Sequence, residues 1–544
     1  MNYSALTIGP IHKTLHISKS TKAIWTASYM FSFLMKKIIN KIKDENNGIE
    51  FILPYSELLI INGKEIYPLN NDFRIRTGLF PDRIIVKGNV EFKKIIDDVL
   101  ANFSAESGIS SGYLSDYLNF YYLVAEFNDS DNVIERINEL LDSLELQQKV
   151  VTNSDDNSLA EFLDKKNPYN FLIKNEFQKR PFPSTVEIST SEYEDNYIDN
   201  KAFKEALKKL KLNDDENQIG FIKDVKAIVG DSFRNYQKYI AVVQADGDNM
   251  GSFIGHLYHQ PNKDELIKQF SKNLLAFSIE SVELIKSYKG TPIYAGGDDL
   301  LYFMPVAQIS LRENQVVINR TIFSLISEID ELFNKYFTSF NKEGVDFESI
   351  IKNTDKKPSM SYGVSISYYK FPLNEALEEG INQLFNIAKK TNKKDAVSYV
   401  ILKHSGQYFG TTFHKKTSSY KTFLELISEN PDKSDFITSI IHKLEPQKAV
   451  VQAIGLNSLN ERVKLFDNFF LNNFNESIHR KKTDRNKLVP FLEKTKQLLI
   501  DTYNENELIV TMPDIEKKND LNLKKVYSGL RFIEFIHNKE ERDE

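Results

Sequence analysis

Two short segments of this chain combine aspartates with glycines, and each adjoins an apolar run. The first, Asp246-Gly-Asp-Asn-Met-Gly251, follows the apolar run Tyr239–Ala245, and the second, Gly296-Gly-Asp-Asp299, separates two further runs. A β-strand that ends in Asp and a hairpin tip that carries Asp can meet in space and hold two divalent cations. Such a site serves phosphoryl or nucleotidyl transfer, in which catalysis consists mostly of positioning and charge neutralisation.

The ligand preferences of Mg²⁺ or Mn²⁺ define the roles that we expect for these residues. Mg²⁺ takes one or two carboxylates together with water and substrate phosphates. We expect Asp246, Asp298 and Asp299 to be catalytic and to bind the metals, with Asp248 on the same face or supporting them from behind. We expect the glycines to bind the nucleotide, because they let the backbone turn tightly or approach a phosphate; these are Gly247, Gly251, Gly296 and Gly297. Their neighbours Asn249 and Met250 are assigned to the same nucleotide-binding set.

A simpler interpretation exists for each acidic segment. Asp-Gly-Asp-Asn is also typical of a surface turn in which an Asp side chain caps its own backbone, and Gly-Gly-Asp-Asp of an ordinary hairpin loop. Either segment alone would favour this simpler interpretation. Both segments at matching positions of one fold favour the metal site.

Lysines follow the acidic segments at the end of a predicted helix. Lys389 and Lys394, in Ala388-Lys-Lys-Thr-Asn-Lys-Lys-Asp-Ala396, can reach the β- and γ-phosphates of a nucleotide as point charges. The alternative is a cationic helix end that complements the helix dipole. The two interpretations are evenly balanced for the lysines taken alone.

The elements around the acidic segments predict one compact unit between residues 239 and 404. Apolar periodicity predicts six elements in the order β-α-β-β-α-β, the ferredoxin-like arrangement, followed by one more helix and strand. Their predicted bounds are Tyr239–Ala245, Lys263–Lys286, a strand ending at Ala295, Leu300–Met304, Gln315–Tyr336, Met360–Tyr368, Leu373–Lys390 and Ala396–Leu402. The second acidic segment then lies on the central hairpin.

The N-terminal region predicts a second α/β unit, and the remaining regions predict helices. Helices are expected over about 21–42 and 92–103, with strands over 49–53 and 84–87. Polar clusters between 128 and 217 predict loops between short helices, and the chain beyond Gly406 has helical apolar spacing.

The composition indicates a soluble, multidomain protein. The chain has 544 residues, which is too long for a single hydrophobic core and indicates several domains. Apolar residues make up 41% and charged residues 27%, as in soluble globular proteins. With 70 basic and 76 acidic residues its net charge is −6, which argues against a broad cationic surface for nucleic acid. It contains no cysteine, so disulfides, Fe–S clusters and cysteine zinc sites are excluded. No signal peptide or membrane span is visible, and we expect a cytoplasmic protein.

Together these motifs resemble the large, polymerase/cyclase-like subunit of type III CRISPR effector complexes, of the Cmr type (III-B). The two acidic segments, the Ala-Lys…Lys-Asp-Ala segment and His404-Ser-Gly406 resemble its second palm, which is similar to GGDEF and nucleotide-cyclase folds. Residues 7–12, 21–28 and 80–83 resemble its first, degenerate palm. The resemblance implies an α+β fold with two ferredoxin-like palm domains. Its expected divisions are a first palm at 1–127, a helical connector without a zinc site at 128–234, a catalytic second palm at 235–405 and a helical C-terminal domain at 406–544.

This resemblance implies a function as well as a fold. Target RNA bound by the complex would activate the second palm to join ATP into an adenylate second messenger, cyclic oligoadenylate. A 3′-hydroxyl would attack the α-phosphate of ATP and pyrophosphate would leave. The implied partners are the other Cmr-type subunits, guide RNA and target RNA, and Lys389 and Lys394 match the lysines expected near the triphosphate.

Departures from the family leave alternatives open. Many members begin with an HD nuclease domain, whereas this chain starts in the first palm and has no His-Asp dipeptide among its nine histidines. We therefore expect no DNase activity. Similar members without that domain are associated with joining AMP to S-adenosyl methionine, so this co-substrate is an alternative acceptor. A non-catalytic scaffold is a further alternative, against which the intact acidic pair argues.

Overall fold

The computed structural model describes residues 1–46, 48–70, 75–128, 131–147, 158–164, 172, 182–197, 199–210, 215–312, 315–342, 344–352, 354–429, 434–474, 485–505 and 515–539. Over these residues the chain contains two ferredoxin-like units and additional helices, which confirms the predicted α+β class. Within the same residues, no helix is both long enough and apolar enough to cross a membrane.

The N-terminal unit has the predicted ferredoxin-like arrangement. Its elements are β1 (Asn2–Gly9), α1 (Ile11–Ile17), α2 (Thr21–Glu45), β2 (Glu50–Leu53), β3 (Leu59–Ile61), β4 (Lys64–Ile66), β5 (Arg83–Lys87), α3 (Phe92–Ser107), α4 (Ser111–Tyr117) and β6 (Asn119–Glu126). Strands pair in the spatial order β2-β5-β1-β6, and each neighbouring pair is antiparallel. Strands β3 and β4 form a separate hairpin. The order β1-α2-β2-β5-α3-β6 is therefore β-α-β-β-α-β.

Alternation along β1 buries its two faces in different cores. Leu6 and Ile8 pack with the apolar faces of α2 and α3, whereas Tyr3 and Ala5 face the helix that follows β6. Helix α2 begins after Ser20, whose hydroxyl caps the Ala23 amide at 3.1 Å. Trp25, which the sequence places on an apolar helix face, is fully buried there.

The described part of the connector is mostly helical. It comprises α5 (Val133–Glu145), α6 (Ser158–Asp164), α7 (Thr185–Ser189), α8 (Glu194–Tyr197), α9 (Lys201–Leu210) and α10 (Asp215–Val229), with 3₁₀ turns at Ser191–Tyr193, Gly230–Ser232 and Asn235–Lys238. Its buried Glu192 accepts hydrogen bonds from Gln237, from the Tyr236 hydroxyl at 3.1 Å and from the Ile309 amide at 2.7 Å. This carboxyl group therefore joins the connector to the second unit.

The second unit repeats the ferredoxin-like order on a larger sheet. Its elements are β7 (Tyr239–Asp248), α11 (Met250–Tyr258), α12 (Lys263–Ser287), β8 (Thr291–Gly296), β9 (Asp299–Pro305), β10 (Ala307–Arg312), β11 (Gln315–Thr321), α13 (Ile322–Phe333), β12 (Asn341–Lys342), β13 (Val345–Asp346), α14 (Phe347–Ile351), β14 (Ser359–Tyr368), α15 (Leu373–Ile381), β15 (Ala396–Leu402) and β16 (Tyr408–His414). The sheet order is β16-β15-β14-β7-β9-β8, so that β7 lies at its centre. The pattern β7-α12-β8-β9-α13-β14 confirms the predicted β-α-β-β-α-β unit.

Two element predictions in this region are wrong. The predicted helix over Gln315–Tyr336 begins only at Ile322, because Gln315–Thr321 pairs as a strand with Ala307–Arg312. Beyond Gly406, where only helices are predicted, Tyr408–His414 pairs with β15 and extends the sheet. Both segments are rich in β-branched or aromatic residues, which favour a strand at a sheet or hairpin edge.

Helices cover the rest of the C-terminal region. They are α16 (Ser418–Ser428), α17 (Ser434–Leu444), α18 (Lys448–Gly455), α19 (Leu459–Asn473), α20 (Arg485–Asn504) and α21 (Ile515–His537). Helix α21 packs on β16 and β15, where the Tyr399 hydroxyl donates to the Ser528 carbonyl at 2.8 Å. The predicted domain boundaries stay predictions, since β16 joins the sheet to a region assigned to the next domain.

The two ferredoxin-like units share a core. Ile240, Val242 and Phe303 from the second sheet belong to the same buried cluster as the inner face of α2. A backbone hydrogen bond of 2.8 Å from the Ala295 amide to the Gly78 carbonyl also joins β8 to the N-terminal unit. The central hairpin is therefore held against the first unit.

Candidate active site

Strand β7 carries the first acidic segment at the centre of the second sheet. Its residues 239–243 and Ala245 are buried, and the strand continues through Asp246 and Gly247 to Asp248. Asp246 lies opposite Ser361 of β14, and Asp248 lies opposite Ser359. The carboxyl end of the strand thus holds two aspartates two residues apart, as the sequence predicts.

The hairpin between β8 and β9 carries the second acidic segment. Gly296 pairs with Asp299, and Gly297 at the turn has φ of 73°, a left-handed conformation that favours glycine. Asp298 and Asp299 therefore project from the tip of a tight turn. Strand β9 pairs with β7, with Leu300 opposite Ala245, so this tip lies beside the end of β7.

Asp246, Asp298 and Asp299 converge at this point. The Asp298 carboxylate lies directly against Gly247, where any side chain on residue 247 would collide with it. Both Asp298 and Asp299 lie close enough to Asp246 to interact electrostatically with its carboxylate. The three carboxyl groups predicted from the two segments form one cluster.

Electrostatics at the cluster favour a cation. Loss of surrounding water, followed by the negative charge of Asp246, raises the pKa of Asp298 to about 6. The same two causes raise the pKa of Asp299 well above its ordinary value, with the charge of Asp298 adding to them. Like charges that raise each other's pKa in this way become compatible once a divalent cation lies among them.

Lys389 supplies positive charge to the same cluster. Its ammonium group contacts the Asp246 carboxylate, donates to the Gly247 carbonyl at 2.9 Å and lies 3.8 Å from Asp248 Oδ1. It comes from the 3₁₀ turn Ala388–Lys390, which follows α15 and the π-helical segment Asn382–Ile387. The structure thus brings one of the two predicted lysines to the aspartates.

Asp248 is buried behind the other aspartates. Its Oδ2 accepts hydrogen bonds from the hydroxyls of Ser359 at 3.1 Å and Ser361 at 2.6 Å, and from the Asp395 amide at 3.0 Å. Its Oδ1 has no hydrogen-bond partner within the described residues and faces Lys389. These bonds fix the end of β7 against β14 and the entry to β15.

Other predicted nucleotide-binding residues surround the turn after β7. Asn249 has φ of 61° and donates to the Lys357 carbonyl at 3.0 Å, while Met250 and Gly251 begin α11. Lys394 also has a left-handed backbone, with φ of 52°, and its carbonyl accepts from Thr391 at 3.4 Å. Its side chain makes no hydrogen bond or ion pair in the part of the chain that the structure describes. Only its neighbour, the Asp395 amide, reaches the cluster.

The residues present fit a divalent cation by their chemistry. Carboxylate oxygens are the ligands that Mg²⁺ and Mn²⁺ prefer. A cation would satisfy Asp248 Oδ1, which accepts no hydrogen bond from any described residue, and would reduce the repulsion among Asp246, Asp298 and Asp299. Within the described residues, no three His, Asp or Glu side chains already have the spacing of a metal site. Lys389 occupies part of the space among the carboxylates. The metal-binding and catalytic roles stay predictions.

A cavity of about 260 Å³ lies beside the cluster. It lies between the two units and is lined by Phe31, Phe80 and His12 from the first and by Tyr294, Asp299 and Phe385 from the second. Sequence reasoning missed Ser359 and Ser361, which lack any motif. Only the pairing of β14 with β7 reveals their contact with Asp248.

Comparison with known proteins relates the chain to one family. A family model described as the second palm domain of Cas10/Cmr2 matches residues 239–398, and one for the N-terminal domain of CRISPR-associated protein Cmr2 matches residues 3–107. The curated CRISPR system Cmr subunit Cmr2 of Pyrococcus furiosus is 28% identical over 218 residues, which are 36% of this chain and 22% of that protein. The chain thus spans about a fifth of the length of this relative.

Solved structures agree on the fold. A chain of the type III-B Cmr-beta complex in its apo state superposes with a TM-score of 0.57 and 12% identity, covering 97% of this chain and 82% of that one. A chain of the same complex bound to cognate target RNA gives a TM-score of 0.55 and 11% identity, covering 87% and 78%. At this identity the likeness concerns the fold. The family models match the two ferredoxin-like units, at residues 3–107 and 239–398, and these matches support a Cmr-type Cas10 subunit.

Proposed function

We propose that this chain is a metal-dependent nucleotidyltransferase that uses ATP as the catalytic subunit of a type III-B CRISPR complex. The observation that carries the proposal is the convergence of Asp246, Asp298 and Asp299 beside Lys389 at the end of β7. A scaffold has no physical need for mutually repelling carboxylates at a hairpin tip, since they destabilise the fold. Their presence at this position supports a catalytic role.

Some residues of the site would bind the metal, and others would bind the phosphates of ATP. Asp246, Asp298 and Asp299 would ligate Mg²⁺ or Mn²⁺, which when bound would neutralise the charge on the α-phosphate and on the departing pyrophosphate. Asp248, held by two serines and an amide, would keep Asp246 in position. Lys389 would exchange its carboxylate contacts for the triphosphate, and Lys394 would approach from the following turn.

The protonation of the aspartate cluster affects its affinity for a metal ion. Burial and the negative charge of Asp246 raise the pKa of Asp298 to about 6 and that of Asp299 well above its ordinary value, so these carboxyl groups take up protons more readily than isolated aspartates do. A divalent cation would compete with these protons. Metal affinity is therefore expected to rise with pH.

The acceptor would lie in the cavity between the two palms. Its aromatic lining suits a flat base, and Asp299 lies at its edge, within reach of the donor site. We infer that a second ATP occupies it, so that its 3′-hydroxyl attacks the α-phosphate and cyclic oligoadenylate is the final product. S-adenosyl methionine also carries an adenosyl group, and the same cavity suits it equally well.

Activation by RNA is part of the proposal. The related Cmr-beta structure bound to cognate target RNA supports a role for target RNA, guide RNA and the other Cmr-type subunits around this chain. With net charge −6, the chain itself would depend on partners for most of the contact with RNA.

The decisive experiment is product analysis with the assembled complex. Complex, matching target RNA, labelled ATP and Mg²⁺ or Mn²⁺ are incubated with and without S-adenosyl methionine, and the products are resolved. We expect adenylate products that disappear in Asp298→Ala plus Asp299→Ala and persist in Asp97→Ala, which removes an exposed carboxylate from α3.

Each outcome separates one alternative from the others. Product that persists in the double variant rejects the site. A product that forms only when S-adenosyl methionine is present would show that the enzyme makes the AMP conjugate and not oligoadenylate. Absence of any ATP product from an intact, RNA-bound complex favours the scaffold.

A further inference from the structure

A groove of about 790 Å³ lies on the far edge of the second sheet, away from the aspartate cluster. It runs around edge strand β16, between the helical segment that precedes Lys390 and the C-terminal helix α21. Its volume is in the range typical of small-molecule sites. Nothing in the proposed reaction uses this groove.

Lys525 of α21 is the most unusual residue of the groove lining. Its side chain is 4% exposed, and its buried ammonium group has no hydrogen-bond partner within the described residues. Burial lowers the pKa of Lys525 to about 8. The ammonium nitrogen lies 5.5 Å from the centre of the Phe413 ring, and Lys525 interacts electrostatically with Glu505 and His414.

Glu505 does not satisfy Lys525. Both of its carboxylate oxygens accept hydrogen bonds from Ser419, one from the amide at 2.6 Å and one from the hydroxyl at 2.5 Å. A buried ammonium group without a partner costs free energy of folding, and an apolar side chain of similar size would avoid this cost. This indicates that Lys525 serves an anion from outside the chain.

Further cations and polar groups line the same groove. Lys390 and Lys524 are exposed, and neither makes an ion pair in the described parts of the chain. Thr411 adds a hydroxyl, and Tyr408 at the rim is 76% exposed, with its ring available for stacking. The one acidic residue, Glu379, accepts hydrogen bonds from Gln383 at 2.7 Å and Asn382 at 3.3 Å.

We propose that this groove is a second phosphate-binding site, which takes the phosphate group of a nucleotide or of an RNA. Three lysines supply the charge, and Tyr408 would stack on a base. The site is separate from the proposed catalytic centre, and the two adjacent lysines of one 3₁₀ turn lie one in each site. Lys389 contacts Asp246, whereas Lys390 lines the groove.

Calorimetric titration of the full chain tests the proposal. The probes are ATP, inorganic phosphate and a single-stranded RNA hexamer, all in EDTA so that no metal-dependent binding contributes. We expect binding that weakens about tenfold in Lys525→Met and in Lys524→Gln, because each removes one charge-assisted contact to phosphate. Lys421→Gln, which removes an exposed charge from α16, should bind as the wild type does.

The probes and variants give separable outcomes. ATP binding with no RNA binding identifies a nucleotide site, and the reverse identifies the RNA backbone as the ligand. The component of binding that Lys525→Met removes should persist in Lys389→Met, so that loss of catalysis and loss of groove binding remain distinguishable. The proposal is overturned if no probe binds in EDTA, or if binding is unaffected by Lys525→Met, Lys524→Gln and Lys390→Gln.

Discussion

The ammonium group of Lys389 lies against the Asp246 carboxylate and donates to the neighbouring Gly247 carbonyl at 2.9 Å. A single cation thus holds the end of the central strand together in the metal-free protein. This position is close to the one that a divalent cation would take among the same carboxylates. Lys389 and the metal are therefore expected to substitute for each other electrostatically.

Replacement of Lys389 by Met should make stability depend on metal. Without divalent cations, the free energy of unfolding is expected to fall by about 3 kcal/mol, because a mostly buried carboxylate loses its partner. Added Mn²⁺ should restore much of this loss. Calorimetric melting with and without Mn²⁺ measures both effects, and Lys223→Met, on the exposed face of α10, is the matched control. If Mn²⁺ stabilised both variants equally, a metal ion would not be replacing the charge of Lys389.

Two aspartates of one motif should differ in their effect on folding. Asp248→Ala leaves the hydroxyls of Ser359 and Ser361 and the Asp395 amide without their acceptor, and we expect a loss of about 3 kcal/mol. Asp246→Ala removes the contact with Lys389, but it also removes the charge that repels Asp298 and Asp299, so its net cost should be smaller. Thermal unfolding of the two variants in EDTA checks this order, and the reverse order would show that Asp248 is not the structural member of the pair.

Gly247 is predicted to be essential because of its contact with Asp298. A methyl group at residue 247 would collide with the Asp298 carboxylate and with the Met250 side chain, so Gly247→Ala should displace the hairpin tip. We expect loss of ATP turnover with the fold retained. Gly112→Ala in α4, where the added methyl group meets nothing within 4 Å, should keep full activity and gain about 0.5–1 kcal/mol of stability. An active Gly247→Ala variant would contradict the observed proximity.

The pH dependence of stability should contain a contribution from Glu192. Burial is the main cause that raises its pKa to about 7, so the folded protein holds a proton that the unfolded chain releases near pH 4.5. The stabilising contribution is therefore complete below pH 4.5 and is lost as pH rises to 7, by about 3 kcal/mol. Glu192→Gln should flatten the unfolding free energy between pH 5 and 8. Exposed Glu283→Gln should leave the slope unchanged, and a slope that survives in Glu192→Gln would assign it to another group.

The acidic cluster was predictable because its residues sit in motifs with a local physical cause. Glycines at 296 and 297 set the hairpin, and apolar runs on both sides set the strands, so Asp298 and Asp299 had to lie at a tip. The supporting residues were not predictable, because Ser359 and Ser361 become meaningful only through long-range strand pairing. Lys394 shows the converse, since its motif is present while its side chain does not contact the aspartates.

Element predictions failed where tertiary context decides. Gln315–Thr321 has enough β-branched residues to pair as a strand, but it directly precedes the helix that begins at Ile322, so the apolar spacing predicts one continuous helix. Tyr408–His414 follows a Gly-containing turn and continues the sheet as its edge strand. An edge strand is half exposed, so its apolar alternation is weak in the sequence.

The hydrogen bond between Gly78 and Ala295 has a consequence for how the halves of this protein can be separated. Strand β8 would be an open sheet edge if the second palm were produced alone, and open edges invite pairing between molecules. The N-terminal palm thus covers the edge of the second sheet and protects the second palm from self-association. Genetic truncation is therefore expected to yield an aggregating fragment, whereas a nick in the connector would leave the two halves associated.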